Sequence, residues 1–282
     1  MRALAPSLAW PIALAAAASF TLGCDECEEL PDTGIGDPGR LCGAHQAELP
    51  IQLGLGLPIV AARVDGESRY LLVDTGASAP LLLSAKLLGE PDQTWTKVQS
   101  LCLGGDMCFE DVQTFAQDGP FSTDRRGDVN GIVGMALLMH LRVEIDRMES
   151  LTLRYGFAVC DGAATPLARD ESHRPYAEVA VDGAAIGSTL LDTGAHHCLF
   201  DAATRDTLAA YVREDEQPAS GCGVSGCAEG YSVSRVRRFC VGEVCEDDVE
   251  VKYPVWNAVG SAFFSRRHVA FDFAAERMLV CD

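Results

Sequence analysis

Two Asp-Thr-Gly tripeptides carry the residues best suited to chemistry in this sequence. Asp74-Thr75-Gly76 follows the apolar run Tyr70–Val73, and Asp192-Thr193-Gly194 follows Leu190-Leu191. An apolar run before a Gly-containing turn is typical of a buried strand that ends at the turn. Two carboxylates, each on a tight turn at the end of a strand, suggest one site built from two halves. We therefore expect Asp74 and Asp192 to form one site.

A third copy of the tripeptide serves as a control. Asp32-Thr33-Gly34 lies in an acidic segment rich in Pro and Gly, without an apolar run before it. We interpret it as a turn in a linker. The tripeptide alone is therefore a weak signal, and the preceding apolar strand is what indicates a site.

The two strand-associated tripeptides lie at matched places in a repeated unit. Unit one spans about residues 50–155 and unit two about 175–281. Each opens with an apolar run, an Asp-Gly pair (Asp65-Gly66 or Asp182-Gly183) and a second run that leads into Asp-Thr-Gly. Asp-Gly between apolar runs predicts a tight hairpin, because Gly tolerates the positive φ of such a turn. Each unit later has a cysteine hairpin and an apolar segment containing Gly134 or Gly260.

Composition favours an all-β chain that does not bind nucleic acid. The 282 residues suffice for one large or two small domains with a real core. Short apolar runs alternate with turn residues, and long helical periodicity is absent. The net charge of −19 disfavours nucleic-acid binding, which needs clustered Lys and Arg.

The first residues predict export. Arg2 precedes an apolar stretch, Leu8–Gly23, which is too short and interrupted to span a membrane and fits a signal peptide over residues 1–23. Thr21-Leu22-Gly23-Cys24 resembles a bacterial lipobox, which makes Cys24 a candidate lipidation site; cleavage at the preceding Ala run is the alternative. We expect an exported protein, either in a bacterial cell envelope (lipid-anchored or periplasmic) or secreted. Residues 24–48 read as an acidic tether.

Twelve cysteines in an exported chain should mostly be paired. Close spacing and an intervening Gly predict three local disulfides, and Cys27–Cys42 is a candidate pin for the tether. Facing Cys-x-x-Cys pairs are absent, so we expect no metal and no cofactor. The three local pairs are Cys102–Cys108, Cys222–Cys227 and Cys240–Cys245.

Each unit resembles a subunit of the retropepsin-like aspartic proteases, with a hairpin, Val/Leu-Asp-Thr-Gly-Ala and a late Ile/Val-Gly segment. The resemblance covers nearly all of residues 50–282. It implies a bilobal acid-protease fold, similar to that of pepsin, with two pseudo-symmetric β-barrel-like lobes at 49–160 and 175–282 and a linker at 161–174. It also implies an active-site cleft between the lobes.

The resemblance further assigns roles to individual residues. Asp74 and Asp192 would activate a water for peptide hydrolysis without a covalent intermediate. Supporting roles fall to Thr75, Gly76, Thr193, Gly194, Gly134 and Gly260. Ser78 and His196 occupy matched positions near the substrate backbone, where polar wall residues are an equal alternative.

The two units differ between Asp-Thr-Gly and the cysteine hairpin. The longer interval in unit two contains the Gly-rich stretch 220–230, which the resemblance places as a flap over substrate; a surface loop is the alternative. The candidate substrate-binding residues of this flap are Gly223, Val224, Ser225 and Gly226. Unit one lacks such a stretch, so we expect a single flap.

Ala77 and Ala195 follow the two tripeptides, where pepsin-like enzymes usually have Ser or Thr. Without that hydroxyl donor the carboxylate pKa is lowered less, so we expect a pH optimum nearer neutral than that of pepsin. The predicted function is aspartic endopeptidase, acting as a monomer on peptides or proteins. The alternative is a catalytically silent envelope protein that binds peptides in the same cleft. The only membrane contact expected is an N-terminal lipid.

Overall fold

The computed structural model describes residues 27–52, 56–118, 129–157, 160–208, 211, 217–223, 226–253 and 255–281. The predicted signal peptide and Cys24 lie outside the described residues. The described chain is mostly strand with four short helices, so the all-β prediction is confirmed. None of its helices is long and apolar enough to cross a membrane.

The elements fall into two groups that follow the repeated units. The first group comprises β1 (Cys27–Glu29), β2 (Arg40–Gly43), β3 (Gln46–Pro50), β4 (Ile59–Val64), β5 (Glu67–Val73), β6 (Leu81–Ser84), α1 (Ala85–Leu88), β7 (Thr94–Leu103), β8 (Met107–Gln117), β9 (Gly131–Val133), α2 (Met135–Leu138), β10 (Arg142–Asp146) and β11 (Ser150–Arg154). The second comprises β12 (Ala163–Pro166), β13 (Ala168–Arg169), β14 (Pro175–Val181), β15 (Ala184–Leu191), β16 (Cys198–Leu199), α3 (Ala202–Leu208), β17 (Gln217–Gly223), β18 (Gly226–Val241), β19 (Val244–Tyr253), β20 (Ala258–Val259), α4 (Ser261–Phe264), β21 (His268–Asp272) and β22 (Arg277–Val280).

The repeat seen in the sequence is also a repeat of strand pairing. One eight-stranded sheet has the order β1-β2-β8-β6-β9-β5-β4-β7, and another has the order β13-β14-β15-β20-β16-β19-β18-β17. In the first sheet β9 lies between β5, to which it is parallel, and β6, to which it is antiparallel. In the second sheet β20 lies in the same way between β15 and β16.

The opening hairpin of each unit forms where the Asp-Gly pairs predict it. Asp65 and Gly66 both have positive φ, 48° and 82°, between β4 and β5. Asp182 and Gly183 repeat this, at 48° and 86°, between β14 and β15. Positive φ at both central residues gives the turn a twist that matches the flanking strands.

A third sheet joins the two units. Its order is β12-β22-β21-β10-β11-β3, and its centre is the antiparallel pair β10–β21, with Val143 opposite Phe271 and Ile145 opposite Val269. Each unit contributes three strands in equivalent places, since β3-β11-β10 of unit one corresponds to β12-β22-β21 of unit two. The buried apolar side chains of both units form one continuous core cluster. The units are therefore packed into one body.

The segment predicted as a tether is different in the structure. Residues 27–50 contain β1 and β2, which extend the first sheet beyond β8, and β3, which pairs with β11. Leu30, Leu41 and Leu49 are buried, so this segment contributes to the core. Its apolar positions are too few and too widely separated by Pro and Gly to be recognised as strands from periodicity.

The predicted inter-lobe linker also differs from expectation. Residues 161–174 include β12, which pairs with β22, and β13, which pairs with β14. Thr165 and Leu167 are buried. The linker is thus part of two sheets, because the chain passes directly from the third sheet into the second.

Candidate active site

The two Asp-Thr-Gly turns are held in the same way by the late strand of their own unit. The Asp74 amide donates to the carbonyl oxygen of Val133 at 2.9 Å, and the Asp192 amide donates to that of Val259 at 2.9 Å. β9 and β20 therefore lie beside the two Asp-Thr-Gly turns, as the family resemblance implies. A buried parallel strand therefore fixes the backbone position of each Asp.

Gly134 and Gly260 allow the chain after these strands to pass close to the turns. A Cβ added at Gly134 would lie 2.7 Å from the Ala77 carbonyl oxygen, and one at Gly260 would lie 2.7 Å from that of Ala195. Real Cβ atoms do not approach oxygen so closely, so both positions require glycine. The two residues are therefore equivalent in the two units.

The two carboxyl groups meet where the units face each other. The two side chains lie close enough that each shifts the pKa of the other. A Cβ added at Gly76 would lie 2.6 Å from Asp192 Cγ, and one at Gly194 would overlap the carboxyl carbon of Asp74. The glycine of each turn thus leaves room for the carboxylate of the other.

Backbone amides orient each carboxylate within its own turn. Gly76 N–H donates to Asp74 Oδ1 at 2.7 Å. Gly194 and Ala195 N–H donate to Asp192 Oδ1 at 2.9 and 3.0 Å. These bonds fix one oxygen of each group and leave the pair with a defined orientation.

Thr75 and Thr193 lock the two turns together. Thr75 Oγ1 donates to the Leu191 carbonyl oxygen at 2.6 Å, and Thr193 Oγ1 donates to that of Val73 at 2.8 Å. Both threonines are fully buried. Each unit therefore donates from its turn to the strand end of the other unit.

Electrostatics favour one shared proton at the pair. Burial raises the pKa of the Asp74 carboxyl. Burial, and next the negative charge of Asp74, raise the pKa of Asp192 well above its usual range. Asp192 is only 7% exposed, so its charge is poorly solvated. Such a pair can offer a base and an acid at the same pH. The carboxylate pair of aspartic proteases is the usual example of this principle.

Ser78 and His196 both lie exposed just after the turns, and their carbonyl oxygens accept from Ala136 and Ala262, respectively. His196 also lies against the other unit, since a Cβ on Gly56 would be 3.2 Å from its Nε2. The next residue, His197, places Nδ1 2.9 Å from Glu250 Oε1. Burial nevertheless lowers the pKa of His197 to about 4, so this ring is neutral near pH 7.

A cavity of about 400 Å³ opens beside Asp192. Its walls combine the turn residues Gly76 and Asp192 with residues that were not predicted to belong to the site. These are Arg174, Tyr176, Leu190, Trp256 and Asn257. Arg174 immediately precedes β14 and Tyr176 lies in it, and Trp256 and Asn257 precede β20. Only their proximity to two repeat landmarks could have suggested them.

The Gly-rich stretch of unit two lies in a hairpin of β17 and β18, in which Gly223 is paired with Gly226. Val224 and Ser225 lie outside the described residues. The equivalent interval of unit one, all of which is described, holds β6, α1 and most of β7, with no counterpart of β17. Lys252 ties the hairpin to β19, since its Nζ donates to the Ser220 carbonyl oxygen at 2.7 Å and lies 4.4 Å from the Tyr231 ring centre.

Four disulfides are present among the described residues. Two of the predicted local pairs, Cys102–Cys108 and Cys240–Cys245, are confirmed, as is Cys27–Cys42. The fourth, Cys160–Cys281, links the end of unit one to the end of unit two. Cys222 and Cys227 face each other in the β17–β18 register, but their side chains lie outside the described part. Cys198 is a buried free thiol.

The remaining candidates for chemistry do not form a site. Asp32-Thr33-Gly34 is a surface turn in which Gly34 N–H donates to Asp32 Oδ1 at 2.8 Å. The one close group of potential metal ligands in the described chain is Cys27, Cys42 and Glu110, and its two cysteines are joined in a disulfide.

Comparison with protein-family models and with curated proteins finds no match to this chain. The case for its function therefore rests on the residues and on the geometry of the paired turns.

Proposed function

We propose that this protein is an aspartic endopeptidase with Asp74 and Asp192 as its catalytic pair. The two repeated units would be the lobes of a bilobal acid-protease fold, with substrate bound between them. The observation that carries the proposal is the reciprocal approach of the two turns, in which each glycine lies against the carboxyl group of the other unit. Thr75 and Thr193 support it by fixing that approach.

The reaction follows from one proton shared by two carboxylates. The ionised carboxylate takes a proton from a water molecule as the water oxygen attacks the peptide carbonyl carbon. The protonated carboxyl gives its proton to the carbonyl oxygen, which yields a neutral tetrahedral diol. The C–N bond then breaks as the nitrogen receives a proton from the pair and a diol hydroxyl returns one. No bond forms between protein and substrate.

The β17–β18 hairpin would be the flap, carried by unit two alone. What supports this is its position at the edge of the second sheet and the absence of an equivalent hairpin from the described part of unit one. Deleting residues 221–230 should reduce turnover strongly without lowering the melting temperature of the body. Unchanged turnover would assign the hairpin to a surface loop.

The substrate would be a peptide or protein met outside the cytoplasm. Four disulfides fit an oxidising compartment. Cys24 remains the candidate lipid site. A mass spectrum of the mature N-terminus distinguishes a lipidated Cys24 from cleavage at the preceding Ala run.

The test of catalysis is cleavage of an unfolded protein mixture from pH 3 to 8, with and without pepstatin. Asp74→Asn and Asp192→Asn should each abolish cleavage. Asp32→Asn is the matched control, because it changes the same residue of the same tripeptide away from the site. Cleavage by both Asp74→Asn and Asp192→Asn at the wild-type rate would refute the proposal. Peptide binding without cleavage at any pH would favour the silent peptide-binding protein.

A further inference from the structure

We infer that Arg174 makes this site select peptides that carry a carboxylate beside the scissile bond, either on an acidic side chain or at the C-terminus of the peptide. The inference rests on the proposed peptidase function and names the substrate class for it. The cavity that Arg174 shares with Asp192 lies directly at the candidate catalytic pair. A group bound there would be next to the bond that is cut.

Arg174 is held rigidly at the wall of this cavity. Its Nε and Nη2 lie 2.8 and 2.6 Å from the same oxygen, Asp170 Oδ2. Asp170 is itself fixed, because its Oδ1 accepts the backbone N–H groups of Ser172 and Arg174 at 2.9 and 3.0 Å. A guanidinium ordered before substrate arrives loses little side-chain entropy on binding.

The donors of Arg174 are not used up by this pairing. Within the described chain, only Nε and Nη2 have an acceptor, which leaves Nη1 for a ligand. Asn257 adds a second donor, since its Oδ1 accepts the Asp201 amide at 2.9 Å and its NH₂ group has no acceptor among the residues described. A cavity that presents unpaired donors matches a ligand with acceptor oxygens.

The apolar walls strengthen this match. Tyr176, Leu190 and Trp256 line the same cavity, and Trp256 is 57% exposed in the free protein. A bound side chain would cover these rings and exclude water, so the interaction between guanidinium and carboxylate would be less screened. The net charge of −19 repels acidic peptides at long range, so their recognition would depend on a local donor such as Arg174 Nη1.

The repeat shows that this cation belongs to one side of the site only. Arg174-Pro175 stands at the same distance before its Asp-Gly turn as Leu57-Pro58 stands before Asp65-Gly66. Leu57 packs against the apolar cluster of Ile59, Val129 and Ile132. A carboxylate would therefore be preferred on one side of the scissile bond and not on the other.

The test compares cleavage of matched peptide pairs by the full chain. The pairs differ by Glu or Gln at one position flanking the cut, or by a free or amidated C-terminus, which separates the two sources of the carboxylate. For wild type, kcat/KM should favour the acidic member by about tenfold, the size of one charged hydrogen bond. Arg174→Gln should remove this preference, and Arg174→Lys should keep part of it.

Controls separate selection from folding. Arg237→Gln removes the same charge from an exposed side chain outside the cavity and should keep the preference. The double variant Asp170→Asn/Arg174→Gln removes both partners, so that no unpaired carboxylate is left if the single variant is unstable. A Glu-to-Gln ratio that is unchanged in folded Arg174 variants would overturn the inference.

A binding measurement keeps this result independent of catalysis. Peptides with a reduced scissile bond are titrated while Trp fluorescence, to which the exposed Trp256 contributes, is followed. Tighter binding of the Glu peptide that depends on Arg174, without cleavage of any peptide, would refute the peptidase and retain the recognition. Cleavage that requires Asp74, with equal kcat/KM for Glu and Gln peptides, would retain the peptidase and refute the recognition by Arg174.

Discussion

Thr75 and Thr193 exchange hydrogen bonds across the contact between the two units. The Thr75 amide donates to Thr193 Oγ1 at 3.1 Å, and the Thr193 amide donates to Thr75 Oγ1 at 3.0 Å. Both side chains are 0% exposed, so water cannot replace a lost partner. The separation of Asp74 from Asp192 therefore depends on this exchange.

Replacing Thr193 by Val should destabilise the fold and reduce activity together. Val keeps the shape but leaves the Thr75 amide and the Val73 carbonyl without their buried partner, at a cost of about 2–4 kcal/mol in unfolding free energy. Thr193→Ser keeps the hydroxyl and should lose much less. Urea unfolding and peptide turnover measure both effects, and equal losses for Val and Ser would contradict the role of the hydroxyl.

Replacing Asp192 by Asn should stabilise the protein at pH 7 while abolishing catalysis. Because burial raises the folded-state pKa of Asp192, its charge opposes folding above that pKa. As pH falls towards the unfolded value near 3.8, the folded state takes up the proton first and this cost disappears. The variant should gain about 1–3 kcal/mol at pH 7, and the gain should vanish towards pH 3.8.

Thermal unfolding from pH 3.5 to 7.5 measures this difference between Asp192→Asn and wild type. Asp32→Asn is again the control, since Asp32 is exposed. A variant that is less stable than wild type at pH 7 would show that the charged pair contributes favourably to folding.

Replacing Ala77 by Ser should move the acid limb of the pH–rate profile downwards. The Ala77 amide donates to the Asp74 carbonyl oxygen at 3.4 Å and lies close enough to the Asp74 carboxylate to lower its pKa, so a hydroxyl on the same residue would be near that carboxylate. A donor stabilises the ionised form and lowers its pKa. One neutral hydrogen bond corresponds to a shift of about 0.5–1 pH unit in kcat/KM. Ala195→Ser tests the other turn, and no shift in either variant would refute this explanation of the optimum.

Removing the Cys160–Cys281 disulfide should cost more stability than removing Cys102–Cys108. The first closes a loop of 121 residues and the second a loop of 6. Loop-closure entropy grows with the logarithm of length, so the difference should be about 2–3 kcal/mol. Paired Cys→Ser variants are compared by urea unfolding under oxidising conditions. A larger loss for the short loop would show that native-state contacts, and not chain entropy, dominate.

Local patterns were sufficient for the elements built from neighbours in the chain. Asp65-Gly66 and Asp182-Gly183 predicted their hairpins, because a tight turn needs positive φ wherever it occurs. Closely spaced cysteines predicted Cys102–Cys108 and Cys240–Cys245 for a similar reason. The duplicated order of elements then indicated that Asp74 and Asp192 occupy equivalent places.

Patterns failed where strands depend on distant partners. β1, β2 and β12 are short and flanked by Pro and Gly, and each exists because a strand far along the chain supplies its hydrogen bonds. The Cys160–Cys281 disulfide, with a sequence separation of 121, likewise depends on contacts between distant parts of the chain. Neither could be inferred from the residues around it.

The sequence by itself determined the all-β class, the two equivalent carboxylates and the one-sided Gly-rich hairpin, because these depend on residue type and local order. Only the tertiary structure brought Gly76 against Asp192 and Gly194 against Asp74, and placed Arg174 in the cavity beside them. The contacts between the paired turns join residues that are more than 100 positions apart in the sequence. They arise from the packing of one unit against the other, which no local pattern encodes.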